Sequence, residues 1–152
     1  MCSDFAEISL DIVESTFRSN ILQMFAITKY ALPHMKKGSS IINTTSTVAF
    51  RGTGAMVDYS STKGAIVSFT RSLSKNLLPK GIRVNAVAPG PVHTPLQPSS
   101  RPPEQMEGFG TEASQLHRVH QPSEVAPSFI FLASKDAELY YGQILHAYPL
   151  GD

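Results

Sequence analysis

Two short runs of branched apolar residues bracket one long amphipathic stretch, and that alternation restricts the fold more than any other feature of the chain. Ser40-Ile-Ile-Asn-Thr-Thr45 and Ile82-Arg-Val-Asn-Ala-Val-Ala88 read as buried strands. Between them, Tyr59 to Leu78 sets Ala65, Ile66, Phe69, Leu73 and Leu77 on one helical stripe. Pro79-Lys-Gly81 breaks this helix before the second strand begins. Strand, helix, strand at this length predicts a right-handed parallel crossover unit, and therefore an α/β fold.

The flanks extend the pattern. Residues 10 to 36 predict another long helix, with Ile12, Val13, Phe17, Ile21, Met24, Phe25, Thr28, Leu32 and Met35 recurring at helical spacing. Ser9 or Asp11 is placed to cap its start, Pro33 to loosen its last turn and Gly38 to stop it. Residues 47 to 58 read as a loop, with Gly52 and Gly54. From 89 to 122 the chain changes character. Seven prolines, at 89, 91, 95, 98, 102, 103 and 122, predict a long irregular segment with one short helix near 103 to 109. Ser123 is expected to cap a helix running to about Ser134, and Gly142-Gln-Ile-Leu-His146 to form a last short strand. About three strands with flanking helices make one domain of 1–152, which fits a chain of 152 residues.

Chemistry concentrates between Ser46 and Lys63. Tyr59 and Lys63 lie four residues apart, so on a helix they share a face. Ser46 ends the first strand, one loop upstream. An ammonium beside a phenol favours the phenolate, which is expected to lower the tyrosine pKa from about 10. Such a tyrosine exchanges a proton with a carbinol oxygen near neutral pH. A serine hydroxyl can hold the same oxygen in place.

Composition narrows the alternatives. A hydrophobic content of 41% suits a globular protein and argues against disorder. A net charge of +1 implies no nucleic-acid partner and no acidic membrane surface. No apolar run reaches membrane-spanning length, and the first residues do not read as a signal peptide. One cysteine, Cys2, leaves no internal disulfide, so a cytoplasmic setting is expected.

Taken together, Ser46, Tyr59-x-x-x-Lys63, Arg83-Val-Asn-Ala-Val-Ala-Pro-Gly90 and Gly142-Gln resemble the short-chain dehydrogenase/reductase family. The resemblance covers residues 8 to 146. Tyr-x-x-x-Lys alone is weak. The serine thirteen residues before the tyrosine and the Pro-Gly after the next strand make the combination specific. The resemblance implies the C-terminal part of a doubly wound Rossmann-type parallel sheet. It implies an NAD(P)-dependent oxidoreductase that interconverts a carbonyl and an alcohol on a small-molecule substrate, with NADP or NAD as cofactor. Tyr59 would be the general acid/base. Lys63 would lower its pKa and bond the nicotinamide ribose, and Ser46 would orient the carbonyl. Asn20 would help hold a proton-relay water. Pro89, Gly90, Val92 and Thr94 would meet the nicotinamide and its carboxamide, and residues 91–122 would form the substrate lid.

The sequence also departs from the family. The phosphate-binding Thr-Gly-x-x-x-Gly-x-Gly turn and the later Asn-Asn-Ala-Gly are absent, and Gly108-Phe-Gly110 lies in the proline-rich segment. Without that turn most of the dinucleotide's binding energy has no source here, so weak cofactor binding is expected. The first strand is expected at an exposed sheet edge, which invites association. Helices 10–36 and 59–78 are where family members dimerise, so a homo-oligomer is expected. Two functional classes stay open: the oxidoreductase, and a truncated, non-catalytic homologue that only dimerises. Ala147-Tyr-Pro-Leu-Gly-Asp152 replaces the family's strand-ending glycine pair, and Pro149 is expected to cut the strand short. Asn85, inside a strand, is read as a structural hydrogen-bonder. His117 and His120 are read as solvated surface, not a metal site, and His93 and His146 carry no signal.

Overall fold

A computed structural model of the chain describes residues 4–100, 103–106, 108–111, 114 and 116–149. Among them three strands form one sheet: β1 (Ser40–Thr44), β2 (Arg83–Pro89) and β3 (Ile144–Ala147), in that order and all parallel. Ser40 pairs with Arg83 and Thr44 with Val87, while Ala86 pairs with Ile144 and Pro89 with Ala147. β2 is central, which explains its unbroken apolar character: every residue from Arg83 to Ala88 is buried.

Side-chain alternation sorts the helices onto two faces. On one face Asn43 Nδ2 donates to Thr70 Oγ1 at 2.9 Å, Thr45 Oγ1 donates to the Lys63 carbonyl at 2.7 Å, and Ile41 and Val84 pack with Leu73 and Leu77. All four partners belong to α4 (Val57–Leu77). On the other face Ser40 Oγ and Arg83 Nη1 donate to the Leu132 carbonyl at 3.0 and 2.7 Å, and Val87 packs with Val125 and Leu132. These belong to α6 (Pro122–Ala133). Arg83 also donates to the Ser134 carbonyl at 3.0 Å, so a buried guanidinium satisfies the open carbonyls of that helix end. Asn85 bridges the last connection: its Nδ2 donates to the Tyr140 carbonyl and its Oδ1 accepts from the Gln143 amide. This is the structural bond its position in a strand implies.

Several boundaries differ from the sequence expectations. The helix expected over 10 to 36 is α1 (Leu10–Phe17), a π turn (Arg18–Leu22) and α2 (Gln23–Ala31), closed by a 3₁₀ turn at Leu32–His34 that contains Pro33. Its apolar stripe is only partly covered. Ile21 and Thr28 are buried, whereas Ile12 and Phe25 stay exposed, because this helix meets the domain along one seam against α4. The loop expected over 47 to 58 holds a one-turn helix, α3 (Val48–Arg51), and α4 starts before Tyr59. Among the described residues of the proline-rich segment the short helix is α5 (Leu96–Ser100), and within 103–109 a 3₁₀ turn forms at Pro103–Gln105. α6 is capped by Gln121 and not by Ser123. The Gln121 amide donates to Glu124 Oε2 at 2.8 Å, closing a capping box, and Pro122 takes the first helical position that suits a residue without an N–H.

Candidate active site

The carboxyl ends of β1 and β2 frame the site. The Thr45 amide donates to the Val87 carbonyl at 2.9 Å and the Thr47 amide to the Pro89 carbonyl at 3.1 Å, so the chain leaving β1 stays zipped to β2. That holds Ser46 between two buried threonines, at 2% and 1% exposure. The chain then turns through α3 and returns as α4, whose first turns carry Tyr59 and Lys63.

Ser46, Tyr59 and Lys63 come together. The Ser46 hydroxyl hydrogen-bonds the half-buried Tyr59 phenol. Lys63 Nζ lies 5.4 Å from the centre of the Tyr59 ring and donates to the Thr44 carbonyl at 3.1 Å. Lys63 is thus fixed at both ends, its carbonyl accepting from Thr45 and its ammonium donating to the residue before. Asn20 stands behind the tyrosine. It sits in the π turn, a distortion that often marks functional positions, and its Nδ2 donates to Thr62 Oγ1 at 3.0 Å. Thr62, fully buried, donates onward to the Tyr59 carbonyl at 2.7 Å. A second tie joins the same helices, with Thr16 Oγ1 donating to Asp58 Oδ2 at 2.9 Å.

The electrostatics correct one expectation. Burial pushes the Tyr59 phenol above its ordinary value of 10.0, and the Ser46 hydrogen bond pulls it back only in part. Desolvation disfavours the phenolate, and the Lys63 ammonium, committed to the Thr44 carbonyl, does not reverse this. Burial also lowers the Lys63 pKa from 10.5.

A cavity of about 310 Å³ opens beside the tyrosine. Ser46, Tyr59, Gly90, Met56, Leu96 and Phe109 are among the residues that line it. Pro89 ends the central strand and Gly90, the next residue, lines the cavity, whereas Pro89, Val92 and Thr94 lie outside its lining. Val92 bridges to His120 in parallel fashion, and the Thr94 carbonyl accepts from the Gln97 amide at 3.1 Å. Two histidine readings change. His120 is buried at 5% exposure, beside Ser114 Oγ at 3.4 Å and edge-on to the Tyr148 ring at 5.6 Å, because the segment before α6 folds back against the strand ends. His146 packs against Phe50, with ring centres 4.5 Å apart. His117 is exposed as expected.

Sequence reading missed Thr45 and Thr62, the hydroxyls that fix Lys63 and Tyr59. Their only signal was adjacency, each standing one residue before a candidate site residue. Arg51, Met56 and Phe109 carried no signal, since only the fold brings them to the cavity.

This constellation, at the carboxyl ends of parallel strands, places the chain in a family. It belongs to the short-chain dehydrogenase/reductases: the family profile described as Enoyl-(Acyl carrier protein) reductase matches residues 1–147, and curated and solved relatives bear that family's names. The chain is 58% identical over 135 residues to glucose and ribitol dehydrogenase homolog 2 of Arabidopsis thaliana, covering 88% of this chain and 46% of that one. It is 52% identical over 145 residues to the NADPH-dependent aldehyde reductase 1, chloroplastic, of the same plant, covering 95% and 50%. Among solved structures, a short-chain dehydrogenase/reductase (glucose/ribitol dehydrogenase) from Brucella melitensis superposes with a TM-score of 0.83 at 38% identity, covering 93% of this chain and 57% of that one. The three-stranded parallel sheet with its helices is therefore a Rossmann-type fragment, and the chain spans about half the length of the curated relatives it matches. Among the described residues no helix is long and apolar enough to cross a membrane.

Proposed function

We propose that this chain carries the catalytic centre of an NAD(P)-dependent oxidoreductase that interconverts a carbonyl and an alcohol. One observation carries the reading: a tyrosine phenol bonded to a serine hydroxyl, with a lysine amine beside its ring, lining a cavity at the carboxyl ends of parallel strands. Ser46 donates to the substrate oxygen and fixes the carbonyl. Tyr59 delivers a proton to that oxygen in reduction and removes it in oxidation.

The residues present fit the nicotinamide end of a dinucleotide. Gly90 lines the cavity without a side chain, and Pro89 directly precedes it at the end of β2. Val92 and Thr94 follow for the carboxamide, and Lys63 offers an amine for the ribose hydroxyls. A bound nicotinamide supplies or accepts the hydride at the carbonyl carbon. Asn20 helps hold a proton-relay water next to Lys63, and its bond to Thr62, which donates to the Tyr59 carbonyl, fixes it against the first turns of α4. The described residues of 91–122 act as the substrate lid, since Pro91, Leu96 and Phe109 line the cavity, while 101, 102, 107, 112, 113 and 115 lie outside the described residues. With no glycine-rich phosphate turn in this sequence, nucleotide binding is weak. We assign the chain to the cytoplasm on its single cysteine and its nucleotide chemistry.

The test is consumption of NADPH or NADH by the purified chain with a panel of aldehydes and ketones, beside a fluorescence titration of each nucleotide. Turnover that vanishes in Tyr59→Phe supports the reading. Turnover unchanged in that variant ends it.

A second observation favours association. A groove of about 640 Å³ runs between the π turn with α2 and the face of α4, lined by Ile21, Phe25, Phe69 and Leu73. Phe25 meets Phe69 edge-on at 4.5 Å yet stays 54% exposed. We read this face as a homodimer contact between helices 10–36 and 59–78, the surface the non-catalytic alternative would also use. Light scattering of the chain and of Phe69→Glu decides it: a dimer that the charge splits supports the contact, and a monomer in both rejects it.

A further inference from the structure

We infer that Thr45 is a positioning residue for this site, its hydroxyl setting where Ser46, Tyr59 and Lys63 stand relative to one another. The inference rests on the carbonyl–alcohol reading above and adds a residue that supports the chemistry without taking part in it.

Three successive residues at the end of β1 reach two residues one turn apart on α4. The Thr44 carbonyl accepts from Lys63 Nζ at 3.1 Å, Thr45 Oγ1 donates to the Lys63 carbonyl at 2.7 Å, and the Ser46 hydroxyl bonds the Tyr59 phenol. The outer two contacts end on side chains that the reaction itself engages. The Thr45 contact ends on a helix carbonyl, which takes no part and can hold throughout the cycle. It is therefore the contact able to keep strand end and helix in register while the other groups exchange partners.

The surroundings of Thr45 suit that task. It is 2% exposed, and its amide donates to the Val87 carbonyl at 2.9 Å, so its backbone is fixed to the central strand. A hydroxyl bond made in such a low-dielectric place is stronger than one made in water. Thr45 thus passes the position of β2 to the helix turn that carries Tyr59 and Lys63. Asn43 lies on the same face of the strand, and its Nδ2 donates to Thr70 Oγ1 at 2.9 Å. Thr70 is seven residues beyond Lys63, about two helical turns. This second tie keeps α4 on the sheet when Thr45 is altered. Loss of the Thr45 hydroxyl should leave the fold standing and loosen only the first turns of α4.

The experiment compares Thr45→Val, which matches the shape and lacks the donor, with Thr45→Ser, which keeps the donor. The purified chain and each variant are titrated by near-ultraviolet absorbance, with Tyr59→Phe in the same background as the blank. Thr45→Val should move the Tyr59 ionisation upward, in the direction of Ser46→Ala, because the serine bond that favours phenolate is weakened. Adding Thr45→Val to Ser46→Ala should move it no further, since the two act through one contact. Thr45→Ser should titrate like the parent chain. In steady-state kinetics Thr45→Val should lower kcat by up to about 10²-fold with KM little altered, the cost of a small misplacement, and Thr45→Ser should restore it. Circular dichroism checks folding, and Thr45→Ala replaces Thr45→Val if the latter does not fold. Four results would overturn the inference: an unchanged Tyr59 titration, a shift that adds fully to that of Ser46→Ala, a Thr45→Ser variant as impaired as Thr45→Val, or loss of folding in both Thr45→Val and Thr45→Ala. Turnover separates it from the parent reading. A coupled titration shift in a chain without turnover defeats the hydride chemistry alone. Turnover lost in Tyr59→Phe, with kcat and titration unchanged in Thr45→Val, defeats the Thr45 assignment alone.

Discussion

The cavity beside Tyr59 has two walls, and they are built on different principles. The wall from β1 and α4 is tied at every reacting group: Lys63 to Thr44 and Thr45, Tyr59 to Ser46 and Thr62, Asn20 to Thr62. Apart from the local bond of Thr62 to the Tyr59 carbonyl, these ties run across the chain, between residues up to 42 positions apart. On the facing wall, from Pro91 to Phe109, three backbone bonds among the described residues are local turns, beside the long-range bond of the His93 amide to the His120 carbonyl. The Gln97 amide reaches Thr94, the Met106 amide Pro103 and the Phe109 amide Met106, each three residues back. Leu96 remains 67% exposed although it lines the cavity. One wall is pre-organised for chemistry, where small displacements are costly. The other is free to vary with what is being recognised.

The largest effect that tests this contrast is on turnover. Tyr59→Phe should reduce it by about 10²–10⁴-fold, the usual worth of a positioned acid/base. Phe109→Ala on the facing wall should act mainly on KM, by roughly 10-fold, as expected for an apolar pocket contact. Steady-state kinetics of both variants would break the comparison if Phe109→Ala lowered kcat as far as Tyr59→Phe does.

Stability should divide in the same way. Leu77 is fully buried between α4 and the sheet, so Leu77→Ala should cost about 2–5 kcal/mol in urea unfolding. Leu96→Ala should stay within roughly 0.5 kcal/mol, the range of exposed sites. Gly90 joins the two walls and should fall between them. A methyl there overlaps the Tyr148 ring, so Gly90→Ala should cost about 1–3 kcal/mol. The double variant with Tyr148→Ala should recover most of that loss, because the obstacle is a side chain and not backbone.

The tied wall was also the legible one. Branched runs at 40 to 45 and 82 to 88 announced the strands, and the four-residue spacing of Tyr59 and Lys63 announced their shared face. Local periodicity carries that information because each strand and helix buries one repeating face. The facing wall has no period, so the sequence places a helix near 103–109 while the described residues form one at Leu96–Ser100. The burial of His120 was invisible for a related reason: it depends on Val92 and Tyr148, which lie 28 residues away on either side. The sign of the Tyr59 shift was misread too. Spacing shows that an ammonium is near, but not that it is spent on the Thr44 carbonyl while burial desolvates the phenol.

That sign leads to a spectroscopic prediction. Near-ultraviolet titration of the chain, with Tyr59→Phe as the blank, should show Tyr59 ionising above 10.0. Ser46→Ala should move it higher still, since the lost donor favoured phenolate. A phenol whose folded pKa exceeds its unfolded value stabilises the fold fully below the unfolded value. The contribution disappears as pH rises through the folded one. Alkaline unfolding should therefore begin earlier in the parent chain than in Tyr59→Phe if no other tyrosine compensates.

The smallest effect lies where the facing wall enters α6. Glu124 is held down to about 2, first by the Arg118 guanidinium and then by the Gln121 amide. Arg118 grips both carboxylate oxygens, at 2.6 and 2.8 Å, yet the pair is solvent-exposed. Water and salt screen such a pair, so its loss should hardly move the midpoint of unfolding. The carboxylate's titration is the sensitive readout. In Arg118→Ala, NMR should show the Glu124 pKa rising part of the way toward 4.5, because the capping bond from Gln121 survives. A depressed carboxylate stabilises above its unfolded pKa, so this contribution should fade only as pH falls from about 4.5 toward about 2. A return to the full 4.5 would mean that the arginine holds the cap as well as the charge. The entry to α6 would then be bound as firmly as the wall that carries Tyr59.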